Sequence, residues 1–366
     1  MTAALIAGLA LLAGLHFATA LLALWRPRPA APAAGTPGIT LLRPVRGLDS
    51  FDLETLESSF RLTWPDYEVI FCAADAADPA CAAVRAMIAR HPQVRAQLMI
   101  GDERISGNPK LNNLHKGWVA ARGQMVAMAD ANLLLPPDYL QRLMAAWRPG
   151  CALVSSPAAG TRPGNLWGAV ECAFLNGFQG RWQLAADRLG NGFAQGKTLF
   201  VEKAWLDAAG GLAPLGRKLA EDVAFTLLVR SRGARVCLTA RMFEQPVGRR
   251  PFRAVWDRQL RWSRVRRDGF PLLFAAEILA GPLPPALILG GLAPGWLIPG
   301  VLAWYAAEWA LARRMGWPAG PRDLLAMVLR DLALPALWAA TWARRGFEWR
   351  GNAMGAPAME PGDVHA

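Results

Sequence analysis

The chain is short of the residues that build zinc and disulfide sites. Its four histidines (His16, His91, His115 and His365) are scattered, which argues against a His-ligated zinc site. Its five cysteines (Cys72, Cys81, Cys151, Cys172 and Cys237) include no CxxC pair and read as reduced core residues. Acidic residues are few beside basic ones, 28 against 40, and the net charge is +12. Such an excess has three ordinary explanations: nucleic acid, an anionic membrane surface, or a phosphorylated substrate. Charge is missing altogether from Thr2 to Trp25, a stretch long enough to cross a bilayer core of roughly 30 Å. No basic residue precedes that stretch, while Arg26 and Arg28 follow it. That polarity speaks against a cleaved signal peptide. It predicts an uncleaved anchor over 1–25, its N-terminus outside and the next domain in the cytoplasm.

Apolar residues are plentiful: 53% of the 366 residues are hydrophobic and 16 are Trp. Three more apolar stretches, about Phe270–Leu292, Pro294–Ala312 and Leu324–Ala343, predict a membrane region over 269–345. Glu277, three prolines (Pro282, Pro284 and Pro285) and the pair Arg330-Asp331 interrupt them. Charge at such depth is costly unless paired or interfacial, so some stretches are expected to lie flat or re-enter rather than span. Membrane segments at both ends favour the membrane and phosphorylated-substrate explanations of the charge and disfavour nucleic acid. The Pro/Ala-rich residues 26–38 read as a linker and 346–366 as a tail.

Between the membrane segments, short apolar runs alternate with helical patterns. Ile39–Leu42 ends at Arg43-Pro44, Glu68–Cys72 runs into Asp75, Gln97–Ile100 is a third run, and Gln124–Ala129 leads into Asp130. Phe51–Leu62, Asp78–Arg90 and Asn112–Ala121 have helical spacing. This alternation predicts an α/β domain over 39–248, with a mostly parallel sheet covered on both faces. Ligands of such sheets bind at the carboxyl ends of strands, where Asp75 and Asp130 fall.

Asp78, before Pro79, reads as a helix N-cap, which leaves Asp75 as the better ligand. In Asp130-Ala131-Asn132 a carboxylate is followed two residues on by a second oxygen donor. That pair can hold Mg²⁺ or Mn²⁺ against a diphosphate, or simply make a turn. Glu221-Asp222 opens a helical pattern at Val223–Ser231. Acids there complement the helix dipole, and a general base also needs a carboxylate in so fixed a place; the residues alone do not separate the two. Gly192 to Thr198 is no P-loop, because three residues rather than four separate its glycines and no apolar strand leads into it. From Arg249 to Arg267 there are eight Arg and one acid, with Phe252, Val255, Trp256 and Leu260 forming a stripe. This predicts a basic amphipathic helix over 249–268 with its stripe among acyl chains. It carries Arg258-Gln259-Leu260-Arg261-Trp262, whose guanidinium groups can pair with diphosphate oxygens and whose indole can pack on a sugar or lipid face.

Together these pieces resemble the family-2/21-type membrane glycosyltransferases, specifically the ceramide glucosyltransferase branch. Asp75, Asp130 and Asp222, then Arg258 to Trp262, match the signature of three spaced Asp followed by (Gln/Arg)-x-x-Arg-Trp. Leu42 to Gly47, Trp64 to Val69, Gly107 to Leu114 and Phe193 to Thr198 match more closely still, so the likeness runs from Ile39 to Arg267. It implies a GT-A, Rossmann-like fold between N- and C-terminal membrane helices, in a bacterial inner membrane with the catalytic domain cytoplasmic. It also implies a UDP-sugar donor and a ceramide-type lipid acceptor. Asp75 would then contact the uridine, Asp130 the diphosphate and a Mg²⁺ or Mn²⁺ ion, and Asp222 would be the base. Arg43, Pro44, Lys110, Glu221, Arg258, Gln259, Arg261 and Trp262 would complete the substrate contacts. Two departures stand out: Asp-Ala-Asn replaces Asp-x-Asp, and Gln179 stands where eukaryotic relatives have His. A glycosyltransferase for another lipid, such as a hopanoid with a UDP-N-acetylglucosamine donor, and a non-catalytic membrane-anchored binding protein are the alternative readings.

Overall fold

The computed structural model describes residues 2–25, 35–218 and 220–343, together with the backbone of 347–349 and 352–354. Most of the expected linker, with Arg26 and Arg28, lies outside the described residues, as does the greater part of the tail.

Among the described residues, nine strands lie between 39 and 248: β1 (Ile39–Val45), β2 (Tyr67–Ala73), β3 (Arg95–Ile100), β4 (Met125–Ala129), β5 (Cys151–Ser155), β6 (Ala158–Pro163), β7 (Thr198–Glu202), β8 (Arg235–Leu238) and β9 (Phe243–Gly248). Seven form one sheet in the order β3-β2-β1-β4-β7-β5-β8, and β6 pairs with β9 in a separate ribbon. β1 to β4 run parallel, whereas β7 is antiparallel to both β4 and β5. Successive residues of β1 point to opposite faces, yet Leu41 and Leu42 are both fully buried. Leu41 joins Val69, Phe71 and Phe200 on one face; Leu42 joins Ile70, Leu111, Trp118 and Phe225 on the other. Burial on both sides is why these strands are apolar throughout.

β1 runs three residues past Leu42 and takes in Arg43 and Pro44. Pro44 lies beyond the last residue of β1 that pairs with β4, so its missing N–H breaks no bond on that side. The helix Pro79–Arg90 opens on Asp78, whose carboxylate accepts from the Ala80 N–H at 2.9 Å. The helix Pro109–Ala120 starts earlier than expected because Asn108 caps it, accepting from the Lys110 N–H at 2.9 Å, with a proline next in line. The expected helix Phe51–Leu62 stops short: Asp52–Glu57 tightens into a 3₁₀ turn at Ser58–Phe60.

Among the described residues, two helices are long and apolar enough to cross a membrane, Thr2–Leu24 and Pro321–Ala343. Pro271–Leu279 and Leu283–Leu292, bent by 43° at their break, could form a third span. The charges in the C-terminal region are paired. Arg330 donates to both oxygens of Asp331, at 2.9 and 2.8 Å, and to both oxygens of Glu308 in the helix Leu297–Met315. All three side chains are buried. His16, in the first helix, stacks on Trp304 with ring centroids 3.6 Å apart, bonds its carbonyl at 3.0 Å, and meets Arg181 at 3.1 Å. Between these groups runs a π-helical turn, Phe174–Gly180. A Cβ on its Gly177 would lie 1.9 Å from the Glu308 carboxylate, so a larger residue there would have to push that ion-paired side chain aside.

Candidate active site at the carboxyl ends of the central strands

β4 delivers Asp130 to the carboxyl edge of the sheet, and the next turn is clamped from below. Arg43, fully buried, donates to the carbonyls of Thr55, Ala131 and Leu133 at 2.9, 2.9 and 3.2 Å. Thr55 adds a bond to Ala131 O at 2.6 Å. Arg43 therefore braces the Asp130-Ala131-Asn132 turn instead of facing an open cleft, and Pro44 lies in the strand beside it.

Two lysines converge on Asp130. Lys110 Nζ lies 2.7 Å from Asp130 Oδ1 and 2.7 Å from Glu221 Oε1, and also donates to Gly196 O at 2.7 Å. Lys197 Nζ lies 3.0 Å from Asp130 Oδ2 and 3.0 Å from Asn132 Oδ1. Burial pushes the Asp130 carboxyl up, but the two ammonium groups outweigh it and hold the acid far below the usual carboxylate range. For Lys197 burial prevails, aided by the Arg258 guanidinium, and its ammonium is pulled down in spite of Asp130. This places Arg258 within electrostatic reach of the cluster.

The opposite wall is Glu221-Asp222, the first turn of the helix Glu221–Ser231. Asn108 Nδ2 donates to Glu221 Oε2 at 3.1 Å. Asp222 is fixed by two backbone donors, Gly196 N–H on Oδ2 and Val223 N–H on Oδ1, each at 2.8 Å. Burial, and next the Glu221 charge, raise its pKa to about 6 in spite of those donors and Lys110. A Cβ on Gly196 would sit 2.7 Å from Glu221 Oε1 and would push that carboxylate out of place.

The basic helix spans Phe252–Gly269. Arg258 is bonded to the buried Glu171 of the helix Leu166–Ala173, and its guanidinium lies 6.0 Å from the Trp262 ring. Trp262 packs on the main core, and Arg261 is half-buried. At its far end the helix passes close to Val223, the residue after Asp222: a Cβ on Gly269 would lie 2.9 Å from it. The stripe expected to lie among acyl chains packs inward instead: Val255 is buried, and Trp256 and Leu260 rest on the cluster formed with the candidate membrane helices. Only Phe252 stays exposed. Arg250 is also tied inward, 2.6 Å from Asp49.

Of the expected site residues, Lys110, Asp130 and Glu221 are in contact, Asp222 joins them through Gly196, and Arg258 stands close by. Asp75 is exposed at the end of β2, accepting the Ala77 N–H at 2.9 Å. Gln259 turns away, toward the membrane helices. Lys197, Asn108 and Glu171 escaped the sequence reading. Glu171 had a signal, an acid inside an apolar helix that must find a partner. Lys197 sat in the rejected P-loop pattern; a strand rather than a helix follows it.

The oxygens of Asp130 and Asn132 face ammonium groups, and among the described residues no three His, Cys, Asp or Glu side chains are placed to hold a metal ion together. As folded, this donor set suits two lysines and does not fit a divalent ion.

The profile described as Glycosyl transferase family 21 matches residues 5–358. The chain is a family 21 glycosyltransferase. Similar proteins include ceramide glucosyltransferase 1 of Caenorhabditis elegans, 27% identical over 261 residues, covering 70% of this chain and 56% of that one. Ceramide glucosyltransferase 3 of the same organism is 24% identical over 332 residues, covering 86% and 72%. The matched region thus spans little more than half the length of the first of these relatives. Among solved structures, the mannosyltransferase PcManGT of Pyrobaculum calidifontis, in complex with GDP-Man and Mn²⁺, superposes with a TM-score of 0.56 at 20% identity, covering 93% and 96% of the two chains. This family 21 enzyme accordingly has the GT-A fold expected from its sequence, its parallel-dominated sheet flanked by candidate membrane helices.

Proposed function

We propose that this glycosyltransferase moves a sugar from a UDP-sugar onto the primary hydroxyl of a ceramide-type lipid, inverting the anomeric carbon. The observation that carries the reading is Asp222: a half-buried carboxylate with a pKa of about 6, aimed by two backbone N–H groups, beside a cluster of lysines and arginines. Such a group is ionised at neutral pH and basic enough to accept a proton. Asp222 takes the proton of the lipid hydroxyl as that oxygen bonds to the anomeric carbon. The bond to the diphosphate breaks, and UDP leaves with the electron pair. Lys110, Lys197, Arg258 and Arg261 offset the charge that develops on the departing diphosphate. Asp75, at the exposed end of β2, contacts the uridine; Trp262 packs on the sugar or lipid.

A Mg²⁺ or Mn²⁺ ion on Asp130 would have to displace both lysines, so no step is routed through one. The arginines after the first helix favour a catalytic domain on the cytoplasmic side of a bacterial inner membrane. Purified enzyme incubated with ceramide and a panel of UDP-sugars, read by mass spectrometry, tests the reading. Glycosylceramide is the expected product. No transfer to ceramide from any of the UDP-sugars would overturn it.

A further inference from the structure

Glu171 is 1% exposed within an apolar helix, and no step of the proposed reaction uses it. A carboxylate at that depth is costly unless it is paired. Its partners are two arginines of the basic segment. Oε1 accepts from Arg258 Nη1, and Oε2 lies 3.9 Å from Arg250 Nε. Arg250 is pinned in turn by Asp49, whereas Arg258 keeps 23% of its side chain exposed. The acid thus holds one nitrogen of the Arg258 fork and leaves the others for a ligand.

The helix that carries Glu171 is locked to the chain that enters the basic helix. Asn165 caps it, accepting from the Gly168 N–H at 2.9 Å. The same side chain accepts the Arg250 N–H at 3.0 Å and donates to the Arg250 carbonyl at 2.9 Å. Gly164 N–H donates to Gly248 O at 2.7 Å, and a Cβ on Gly168 would lie 2.3 Å from that same oxygen. The two backbones therefore meet directly. Glu171 and Arg258 both stand in the second turn beyond this lock, so the acid reaches the guanidinium from a fixed place. Such support suits a group that must hold a charge in position rather than merely cancel it.

We propose that Glu171 is a positioning residue that presents the Arg258 guanidinium to the diphosphate of the nucleotide. An unheld arginine gives up rotamer freedom when it grips a ligand. The ion pair removes that freedom beforehand, which leaves the ligand less to order. Arg258 then offers its remaining N–H groups within electrostatic reach of Lys197. This assignment rests on the UDP-sugar donor proposed above. A Glu171 that only neutralised Arg258 would act in the opposite sense, because its removal would leave the whole cationic charge to the diphosphate and tighten binding.

The test measures the UDP affinity of the full chain in nanodiscs by calorimetry, with no lipid acceptor needed. Arg258→Met should raise the Kd about ten- to hundredfold, through loss of a charge-assisted bond to phosphate. Glu171→Gln should raise it about three- to tenfold, since a neutral amide holds the guanidinium less firmly. Added to Arg258→Met, it should change nothing, because no guanidinium is left to place. Methylguanidinium should restore part of the affinity lost in Arg258→Ala, and should fail once Glu171→Gln is added. A merely structural Glu171 would lower the fraction of competent enzyme and leave the Kd of the rest unmoved. Glu171→Asp keeps the charge on a shorter arm and should fall between wild type and Glu171→Gln; its Kd decides if the amide variant does not fold. A Kd at or below the wild-type value in the Glu171 variants would overturn the assignment, and so would a penalty that persists without Arg258. A wild type that binds no UDP would instead overturn the donor itself.

Discussion

Asp222 offers a prediction whose size follows from its surroundings. Burial and the neighbouring Glu221 hold its carboxyl at about pH 6, well above an ordinary aspartate. Only the ionised form can take the acceptor's proton, so turnover should rise with pH and level off above neutrality. A group with a pKa of 6 is about nine-tenths ionised at pH 7 and about one-tenth at pH 5, so the rate should fall about tenfold between them. Glu221→Gln removes the like charge and frees Lys110 to act on Asp222. Both changes lower the Asp222 pKa, so the acid limb should move down to about pH 5. Asp222→Asn should cost about 10² to 10⁴ in turnover while UDP-sugar binding stays nearly intact. Single-turnover rates of purified enzyme from pH 4.5 to 8.5 are the assay. A flat profile over that range, or an Asp222→Asn rate within threefold of wild type, would remove Asp222 from the role of base.

Turnover should survive EDTA within about threefold, since lysines already occupy the Asp130 oxygens, and Lys197→Met should lower it about ten- to hundredfold; abolition by EDTA with rescue by Mn²⁺ would show that the lysines yield to an ion. Arg261→Ala and Trp262→Ala should reduce turnover strongly, whereas Arg249→Ala with Arg253→Ala, both exposed, should mainly weaken binding of the enzyme to anionic vesicles, more so at low salt. Like behaviour of the two pairs in both assays would refute that division. Arg330→Met should destabilise the fold by about 3–5 kcal/mol, because Glu308 and Asp331 would be left buried without their counter-charge; a thermal shift in detergent worth under 1 kcal/mol would show that the cluster relaxes.

The sheet was legible because a strand buried on both faces leaves a continuous apolar run, and the runs at β1, β2 and β4 lie in the catalytic half. The Asp130–Glu221 meeting was legible only by resemblance. The two acids are far apart in the chain, and Lys110, which joins them, looks like any solvated lysine at the start of a helix. The basic helix misled for a definite reason. Periodicity reports that one face is apolar but not what covers it, and here the membrane helices cover Val255, Trp256 and Leu260 before lipid can. Arg43 shows the same limit. An arginine at a strand end reads as a ligand until the carbonyls of Ala131 and Leu133 are seen to use it.

The stacking of His16 on Trp304 joins residues 288 positions apart and sets a timetable for synthesis. The first helix emerges early, but its partner follows roughly 15–60 s later at ~5–20 residues per second. Through that interval the imidazole can meet the Arg181 guanidinium but has neither the carbonyl nor the indole of Trp304 to hold it. The packing of the first helix is therefore completed only when the helix Leu297–Met315 is in place. A ribosome stalled before Trp304 would leave the first helix packed on Arg181–Arg188 and Leu283–Leu292 but without the ring on which His16 stacks.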